Sequence, residues 1–125
     1  VLVYVVDISD RFQIPSASVG LLDVLNHPKM QGKPSIIVLN KIDLPYKMPR
    51  REVDYFLRLT EIAEMRNPAD LKTRVDRTKH VGNSKRRSGE HENFMVFEVS
   101  AATGAGFDKV FEAVQMVLAR LASKG

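Results

Sequence analysis

Two short polar stretches contain the residue types that could do chemistry, and each comes directly after an apolar run. The first is NKID at 40–43, after SIIVL, and the second is SAATG at 100–104, after FMVFEV. An ionised carboxylate such as that of Asp43 can accept two hydrogen bonds from neighbouring N–H groups of a flat ligand. Guanine presents such a pair at N1 and N2, whereas adenine has an acceptor at N1 and no amine at C2. Asp43 therefore predicts selection of guanine, with rejection of adenine by roughly 10⁴-fold or more.

The residues beside Asp43 could complete a site for this base. Lys41 can lay its four-carbon stem along the flat ring and place its ammonium near a ribose. Asn40 carries a donor and an acceptor on one amide, so it can bond the base edge and tie adjacent loops together. The backbone N–H of Ser100 or Ala101 can donate to guanine O6, because a small residue lets the backbone come close. Ser100 can also brace the loop through Asp43.

Other interpretations of the same polar residues stay open. Residues 40–43 could be a solvated turn, and 100–104 could be a helix-entry loop, since Ser and Thr cap helices. Asp7 and Asp10 could be metal ligands in a different α/β enzyme such as a phosphatase, although DISD lacks the Asp-x-Asp spacing of a nucleophilic aspartate. The joint occurrence of the two stretches, each after an apolar strand, favours base recognition.

The elements that must position these residues alternate along the chain. Apolar runs predict strands at about 1–7, 35–39 and 94–99, and the first, VLVYVVD, is typical of a strand buried on both faces. Helical spacing predicts helices in PSASVGLLDVL, RREVDYFLRL and GAGFDKVFEAVQMVLARLA, while TEIAEM is ambiguous. This order predicts an α/β fold with a parallel sheet, in which ligands bind at the carboxyl ends of the strands.

Composition limits the function classes. The 125 residues suffice for one domain, contain no cysteine for a disulfide or a thiolate zinc site, and hold no apolar run long enough to cross a bilayer. These observations mildly favour the cytosol.

The segment 66–93 carries eight of the 19 basic residues but only four of the 15 acidic ones, so it accounts for all of the net charge of +4.

The basic segment 66–93 has little apolar content and no clear period, which predicts a solvated polar insertion. It could instead contact nucleic acid or an acidic membrane surface, but no aromatic residues are interleaved to stack on bases. We expect no nucleic-acid partner. His80 and His91, with Glu90 and Glu92 nearby, lack the spacing of converging zinc ligands.

At its two polar stretches the sequence resembles the Ras superfamily of small GTPases. NKID matches the superfamily's Asn-Lys-x-Asp motif and VSAATG its Ser-Ala motif, while VVDISDR and NKIDLP are similar to the ADP-ribosylation-factor-like (Arf-like) branch. The resemblance covers nearly the whole chain outside 66–93. With this segment, the two motifs are further apart than is usual in the family. It implies a three-layer, Rossmann-like P-loop GTPase fold that binds GTP or GDP with Mg²⁺, hydrolyses GTP slowly as a switch, and meets effector and regulator proteins.

The sequence departs from that family pattern in its missing motifs. There is no Gly-x-x-x-x-Gly-Lys-Ser/Thr phosphate loop, since GNSK at 82–85 is too short, and no Asp-x-x-Gly motif. The chain opens within an apolar run that corresponds to the family's fourth strand, so we expect residues 1–125 to be the C-terminal half of the domain. We assign no catalytic residue and no metal ligand. The resemblance implies a cytoplasmic protein, with membrane association only through the missing N-terminal part.

The resemblance therefore implies a site for the guanine base, whereas the motifs that would bind the phosphates and the magnesium are not in this sequence. Its guanine-binding residues are those of the two polar stretches, namely Asn40, Lys41, Asp43, Ser100 and Ala101. The alternative is a pseudo-GTPase, in which the same half-fold is an interaction module that does not hydrolyse nucleotide.

Overall fold

The computed structural model describes residues 1–67 and 93–123. Within these residues, three strands alternate with four α-helices and one 3₁₀ turn. In chain order they are β1 (Leu2–Asp7), α1 (Ile14–Asn26), the 3₁₀ turn (Pro28–Met30), β2 (Ser35–Asn40), α2 (Arg50–Phe56), α3 (Leu59–Arg66), β3 (Phe94–Glu98) and α4 (Phe107–Ser123). The three strands predicted from the apolar runs are confirmed.

The strands form one parallel sheet in the order β1-β2-β3. β1 pairs with β2 from Leu2 opposite Ser35 to Asp7 opposite Asn40, and β2 pairs with β3 from Ser35 opposite Phe94. The carboxyl ends of all three strands therefore lie along one edge of the sheet. This arrangement confirms the predicted α/β class and brings the polar residues that follow the strands to the same place.

The two faces of β2 explain the three layers. Its side chains alternate between the faces, as the period of two along a strand requires. Ile37 and Leu39 pack in a core cluster with residues of α1, α2 and α3, whereas Ile36 and Val38 pack with Met95, Val99 and the buried face of α4. Helices therefore cover both faces of this strand, which matches its continuous apolar sequence.

The prediction that β1 is buried on both faces is wrong. Val6 is buried and Tyr4 packs against the cluster of α1 to α3, but Val3 is 44% exposed and Val5 60% exposed. β1 is an edge strand among the described residues, and the core cluster under α4 is built from β2 and β3. The apolar alternate residues of β1 on that side therefore lack the helix that covers the equivalent residues of β2.

The predicted helix RREVDYFLRL is interrupted. α2 ends at Phe56, and Arg58 adopts a left-handed conformation with φ of 54° before α3 begins. The ambiguous TEIAEM belongs to α3, which buries Leu59 and Ile62. The break lets two short helices each bury an apolar side, since Val53 of α2 is also buried, as is Leu57 between the helices.

The clearest helical pattern of the sequence corresponds to α4, but only part of its apolar stripe is covered. Val110, Ala113 and Val117 are buried, whereas Phe111 and Leu118 are exposed. The contrast follows the geometry of the helix, because the buried and exposed residues are offset by one position and lie on adjacent sides.

Asn67 joins the end of α3 to the start of β3. Its Oδ1 accepts hydrogen bonds from the backbone N–H groups of Asn93 (2.7 Å) and Phe94 (3.2 Å), and its Nδ2 donates to the Phe94 carbonyl (3.1 Å). The side chain is buried, so these bonds are formed away from water. The predicted insertion, with its basic residues and both His80 and His91, lies outside the described residues except at its ends.

We expect Asn67→Ala to lower the free energy of unfolding by about 2 kcal/mol, because it leaves buried backbone groups of β3 without partners. Chemical denaturation monitored by circular dichroism would measure the change. Asn93→Ala is the matched control, since residue 93 contributes its backbone N–H to this contact and that group survives the substitution. Equal stability of the wild type and Asn67→Ala would show that the contact contributes little.

Candidate functional site

The two polar loops meet at the carboxyl edge of the sheet. Asp7 and Asn40 are opposite each other at the ends of β1 and β2. Beyond the end of β3, the Val99 N–H donates to the Leu39 carbonyl (2.8 Å), and the Ile42 N–H donates back to the Val99 carbonyl (3.2 Å). Backbone hydrogen bonds therefore fix the loop at 40–43 against the start of the loop at 100–104.

Asn40 ties the two loops together with a single oxygen. Its Oδ1 accepts hydrogen bonds from the backbone N–H of Ala101 (3.0 Å) and from that of Lys41 (2.8 Å). The contact between loops is the one that the sequence predicted for this amide. With its oxygen used in this way, the Nδ2 group is the part of Asn40 that can offer donors to a ligand.

The bond from Ala101 to Asn40 bears on the predicted contact with guanine O6. The backbone N–H of Ala101 points at Asn40 Oδ1. A base that accepts a hydrogen bond from this N–H must therefore share it with Asn40 or replace Asn40 as its partner. Ala101 itself is exposed, so a ligand can approach its backbone from solvent.

Ser100 braces Asp43. Its hydroxyl donates to Asp43 Oδ1 at 2.7 Å and accepts a hydrogen bond from the Thr103 backbone N–H at 3.2 Å. Ser100 is fully buried, whereas Asp43 is exposed. A carboxylate has about four acceptor positions on two oxygens, so one bond from Ser100 orients Asp43 and leaves capacity for a bidentate contact with a ligand.

Lys41 is held at both its backbone and its ammonium group. Its φ is 73°, in the left-handed region that non-glycine residues rarely adopt. Its Nζ lies 2.7 Å from Asp7 Oδ2 in an ion pair. Burial of the Asp7 carboxyl acts to raise its pKa, but hydrogen bonds from Lys41 and Ser9 outweigh burial and leave the pKa below its ordinary value. The same contact raises the pKa of Lys41.

Asp7 is the site residue whose role the sequence did not reveal. The sequence offered it as a metal ligand in a different enzyme, but here it pairs with Lys41 and also accepts hydrogen bonds from Ser9. Asp10 instead accepts a hydrogen bond from the Phe12 backbone at the start of the following turn. Asp7 is the last residue of β1 and lies opposite Asn40. This position is the signal in the sequence that could have located Asp7 beside Lys41.

The loop at 100–104 is a closed turn that leads into α4. Ser100 donates its backbone N–H to the Ala105 carbonyl (3.0 Å), and Gly104 donates to the Ser100 carbonyl (2.8 Å). Gly104 and Gly106 have φ of 80° and 82°. A Cβ at Gly106 would collide with the Glu98 carbonyl, whereas one at Gly104 would meet open space. Gly106 therefore lets the start of α4 lie against the end of β3.

The described residues hold no group of three or more His, Asp or Glu side chains that converge as metal ligands. In this same part of the chain, no helix combines the length and the apolar composition needed to cross a membrane.

The parallel sheet with helices on both faces, together with loops that bring NKID against SAATG, defines a small-GTPase type of α/β fold. The family model of the ADP-ribosylation factor (Arf) family matches residues 1–118. The chain belongs to the ADP-ribosylation factor family. This membership supports a GTP-binding function in general and implies guanine nucleotides with Mg²⁺ as the ligands of the family and regulators and effectors as its partners.

Proposed function

We propose that this chain recognises the guanine base of GTP and GDP as part of an Arf-like molecular switch. The proposed base-contacting residues are Asn40, Lys41, Asp43, Ser100 and Ala101. The observation that carries the proposal is the pair of hydrogen bonds between the loops, from Ser100 to Asp43 and from Ala101 to Asn40. Residues about 60 positions apart in sequence come together there, and their N–H groups and carboxylate would meet the edge of a guanine base.

The acceptor of this surface is the Asp43 carboxylate. Guanine N1–H and N2–H would both donate to it, in a charge-assisted pair that adenine cannot form. Ser100 orients the carboxylate before the base arrives, so less conformational freedom is lost on binding. An adenine base would offer the carboxylate no pair of donors, which is the physical basis of the discrimination.

Lys41, Asn40 and Ala101 would contact the parts of the base that Asp43 does not reach, namely a flat face and the edge that carries O6. The stem of Lys41, the residue directly after β2, could cover one face of the ring. The Nδ2 group of Asn40 is available to the base edge, and the N–H of Ala101 is available to O6 when it is shared with Asn40.

We propose that these 125 residues are the C-terminal half of the GTPase domain, because they contain no phosphate-loop motif and no Asp-x-x-Gly motif. Most nucleotide affinity in this chemistry comes from the phosphates and the metal, where the charge is greatest. The base contacts described above would then give specificity with weak affinity. The basic segment at about 66–93 would be an insertion between the two halves of the base site.

We expect isothermal titration of this chain with GTP and with GDP to show dissociation constants weaker than micromolar, and we expect no GTP hydrolysis. NMR titration should still detect the site, through shifts of the backbone N–H signals of Lys41 and Ala101 with GDP. ADP at the same concentration is the control and should not shift them equally. Micromolar or tighter affinity in this chain would refute the expected weakness, and equal shifts with ADP would refute guanine recognition.

A pseudo-GTPase is the second candidate, and one observation favours it. Polar groups of the site are engaged with one another within the chain, since Ala101 donates to Asn40 and Lys41 pairs with Asp7. In this second candidate the same half-fold would act as an interaction module for partner proteins and would not hydrolyse nucleotide. A phosphate-loop motif in the coding sequence upstream of residue 1 would decide for the GTPase.

A narrower assignment within the family follows from two longer stretches. DISDRFQIPSASVGLLDVL and NKIDLPYKM resemble ADP-ribosylation factor-like protein 16. We propose that the chain belongs to that subgroup and meets effector and regulator proteins of the Arf-like kind. A comparison of residues 68–92 with the corresponding segments of Arf-like proteins would test it, because that segment is independent of the shared guanine motifs.

A further inference from the structure

We propose that Asp7 is a positioning residue for Lys41, which it holds where the lysine stem can support a guanine base. The inference rests on the proposed function. Asp7 belongs to neither of the two polar loops, and it ends β1 opposite Asn40, the residue directly before the lysine. The contact that links them is the 2.7 Å ion pair between Lys41 Nζ and Asp7 Oδ2.

The Asp7 carboxylate is itself oriented by its neighbours. The backbone N–H and the hydroxyl of Ser9 both donate to Oδ1, at 2.9 and 2.6 Å. This division leaves Oδ2 directed at Lys41. The backbone below Asp7 is fixed as well, because the next residue, Ile8, donates its N–H to the Asn40 carbonyl at 3.3 Å.

The other end of the lysine is equally constrained. Its backbone N–H donates to Asn40 Oδ1, and its carbonyl accepts a hydrogen bond from the Leu44 N–H at 3.2 Å. With the backbone and the ammonium both held, the four-carbon stem must run along the edge of the sheet between β2 and β1. A base bonded to Asp43 and Ala101 would lie beside that stem, since Asp43 follows Lys41 by two residues and Asn40, the residue before Lys41, accepts the hydrogen bond of the Ala101 N–H.

The ion pair is better suited to preorganisation than to fold stability. The Lys41 and Asp7 side chains are 46% and 38% exposed, and pairs with such exposure contribute little to folding. A lysine without a partner would have to lose its rotamer freedom when the nucleotide binds. Asp7 reduces that loss, because it restricts the lysine before binding.

Asp7 could instead compete with the nucleotide for the Lys41 ammonium, and this role predicts a change in affinity of the opposite direction. If the ammonium had to leave Asp7 to reach the ribose, the pair would compete with the nucleotide, and removal of the carboxylate charge would strengthen binding. Preorganisation predicts the reverse. The two roles therefore differ in the direction of a single measured change.

The test compares GDP affinity by NMR titration for the wild-type chain, Asp7→Asn and Asp23→Asn. Asparagine at position 7 keeps an oxygen for Ser9 but loses the charge that holds Lys41. We expect Asp7→Asn to bind GDP about three- to tenfold more weakly with an unchanged preference over ADP. Asp23→Asn removes the same charge from an exposed position on α1 and should bind like the wild type.

Three further readouts separate positioning from a merely structural role. In a Lys41→Met background, Asp7→Asn should cause no further loss of affinity. The difference between Asp7→Asn and the wild type should shrink in high salt, which screens exposed ion pairs. Asp7→Glu should restore part of the affinity, since it restores the charge. If Asp7→Asn does not fold, Ser9→Ala keeps the carboxylate but loosens it, and should weaken GDP binding by about twofold.

The outcomes distinguish this inference from the proposed function. A wild-type chain that does not prefer GDP over ADP would overturn both. A wild type that prefers GDP, with Asp7→Asn binding equally or more tightly, would overturn the positioning role alone. A loss that persists unchanged in the Lys41→Met background would also overturn it, because Asp7 would then act through another group.

Discussion

Asp43→Asn is expected to turn the base preference of this chain from guanine towards xanthine. An asparagine amide can donate to the xanthine O2 carbonyl, whereas it cannot accept two hydrogen bonds from guanine N1 and N2 with the strength of a carboxylate. We expect the ratio of GDP to XDP affinity to change by about 10²-fold or more, since sites built on a specific hydrogen-bonding pair discriminate strongly. Competition between the two nucleotides, followed by NMR, measures this ratio directly.

Ser100→Ala is the matched control for that substitution. It removes the hydroxyl that donates to Asp43 Oδ1 but leaves the carboxylate itself in place. The affinity for GDP should fall by about tenfold, because the carboxylate is less well oriented, while guanine should still be preferred over xanthine. An Asp43→Asn variant that keeps the wild-type preference would show that Asp43 does not contact the base.

Gly106→Ala is expected to lower the free energy of unfolding by about 3 kcal/mol. Its φ of 82° disfavours an alanine, and the added Cβ would also collide with the Glu98 carbonyl at the end of β3. Glu98 is the last residue of β3 and Gly106 directly precedes α4, so relief of the collision would require a shift of the strand end or of the helix start. Denaturant titration followed by circular dichroism would measure the loss.

Gly104→Ala separates the two causes. Gly104 has nearly the same φ, 80°, but a Cβ there would meet no atom within 4 Å. It should therefore cost about 1 kcal/mol from backbone strain alone. If both variants lose the same stability, close approach of α4 to β3 is not what requires Gly106.

The parts of this protein that follow from local pattern could be predicted from its sequence. The β2 run SIIVL is apolar on both faces and is buried on both faces, and the helical spacing after Gly106 corresponds to α4. The meeting of the two polar loops could also be predicted, because parallel strands align their carboxyl ends. Those predictions depend on periodicity and on a general property of the fold class.

The remaining features depend on neighbours that local pattern does not reveal. Val3 and Val5 have the composition of a central strand, but β1 is an edge among the described residues and one of its sides is exposed. The helix break at Arg58 is not marked by a glycine or a proline in the sequence. The pairing of Asp7 with Lys41 joins residues 34 positions apart, and only the register of β1 with β2 brings them together.

The roles of the five base-site residues stay predictions. The hydrogen bonds among them show that the loops are assembled, and the family match covers both loops. The geometry also adds a constraint that the sequence did not contain, because the N–H of Ala101 is already engaged by Asn40. Guanine binding would therefore include an exchange or sharing of that hydrogen bond.

The hydrogen bonds of Asn67 have a consequence for the length of the chain between residues 67 and 93. They fasten residues 67 and 93 to each other at the amino end of β3, which is the end of the sheet remote from the two polar loops. The entropy of closing a loop rises slowly with length, by about 0.6 kcal/mol for each doubling. The number of residues between these two asparagines therefore has little effect on the entropy of bringing residues 67 and 93 together, so this term does not tie the stability of the sheet to one length of the chain between them.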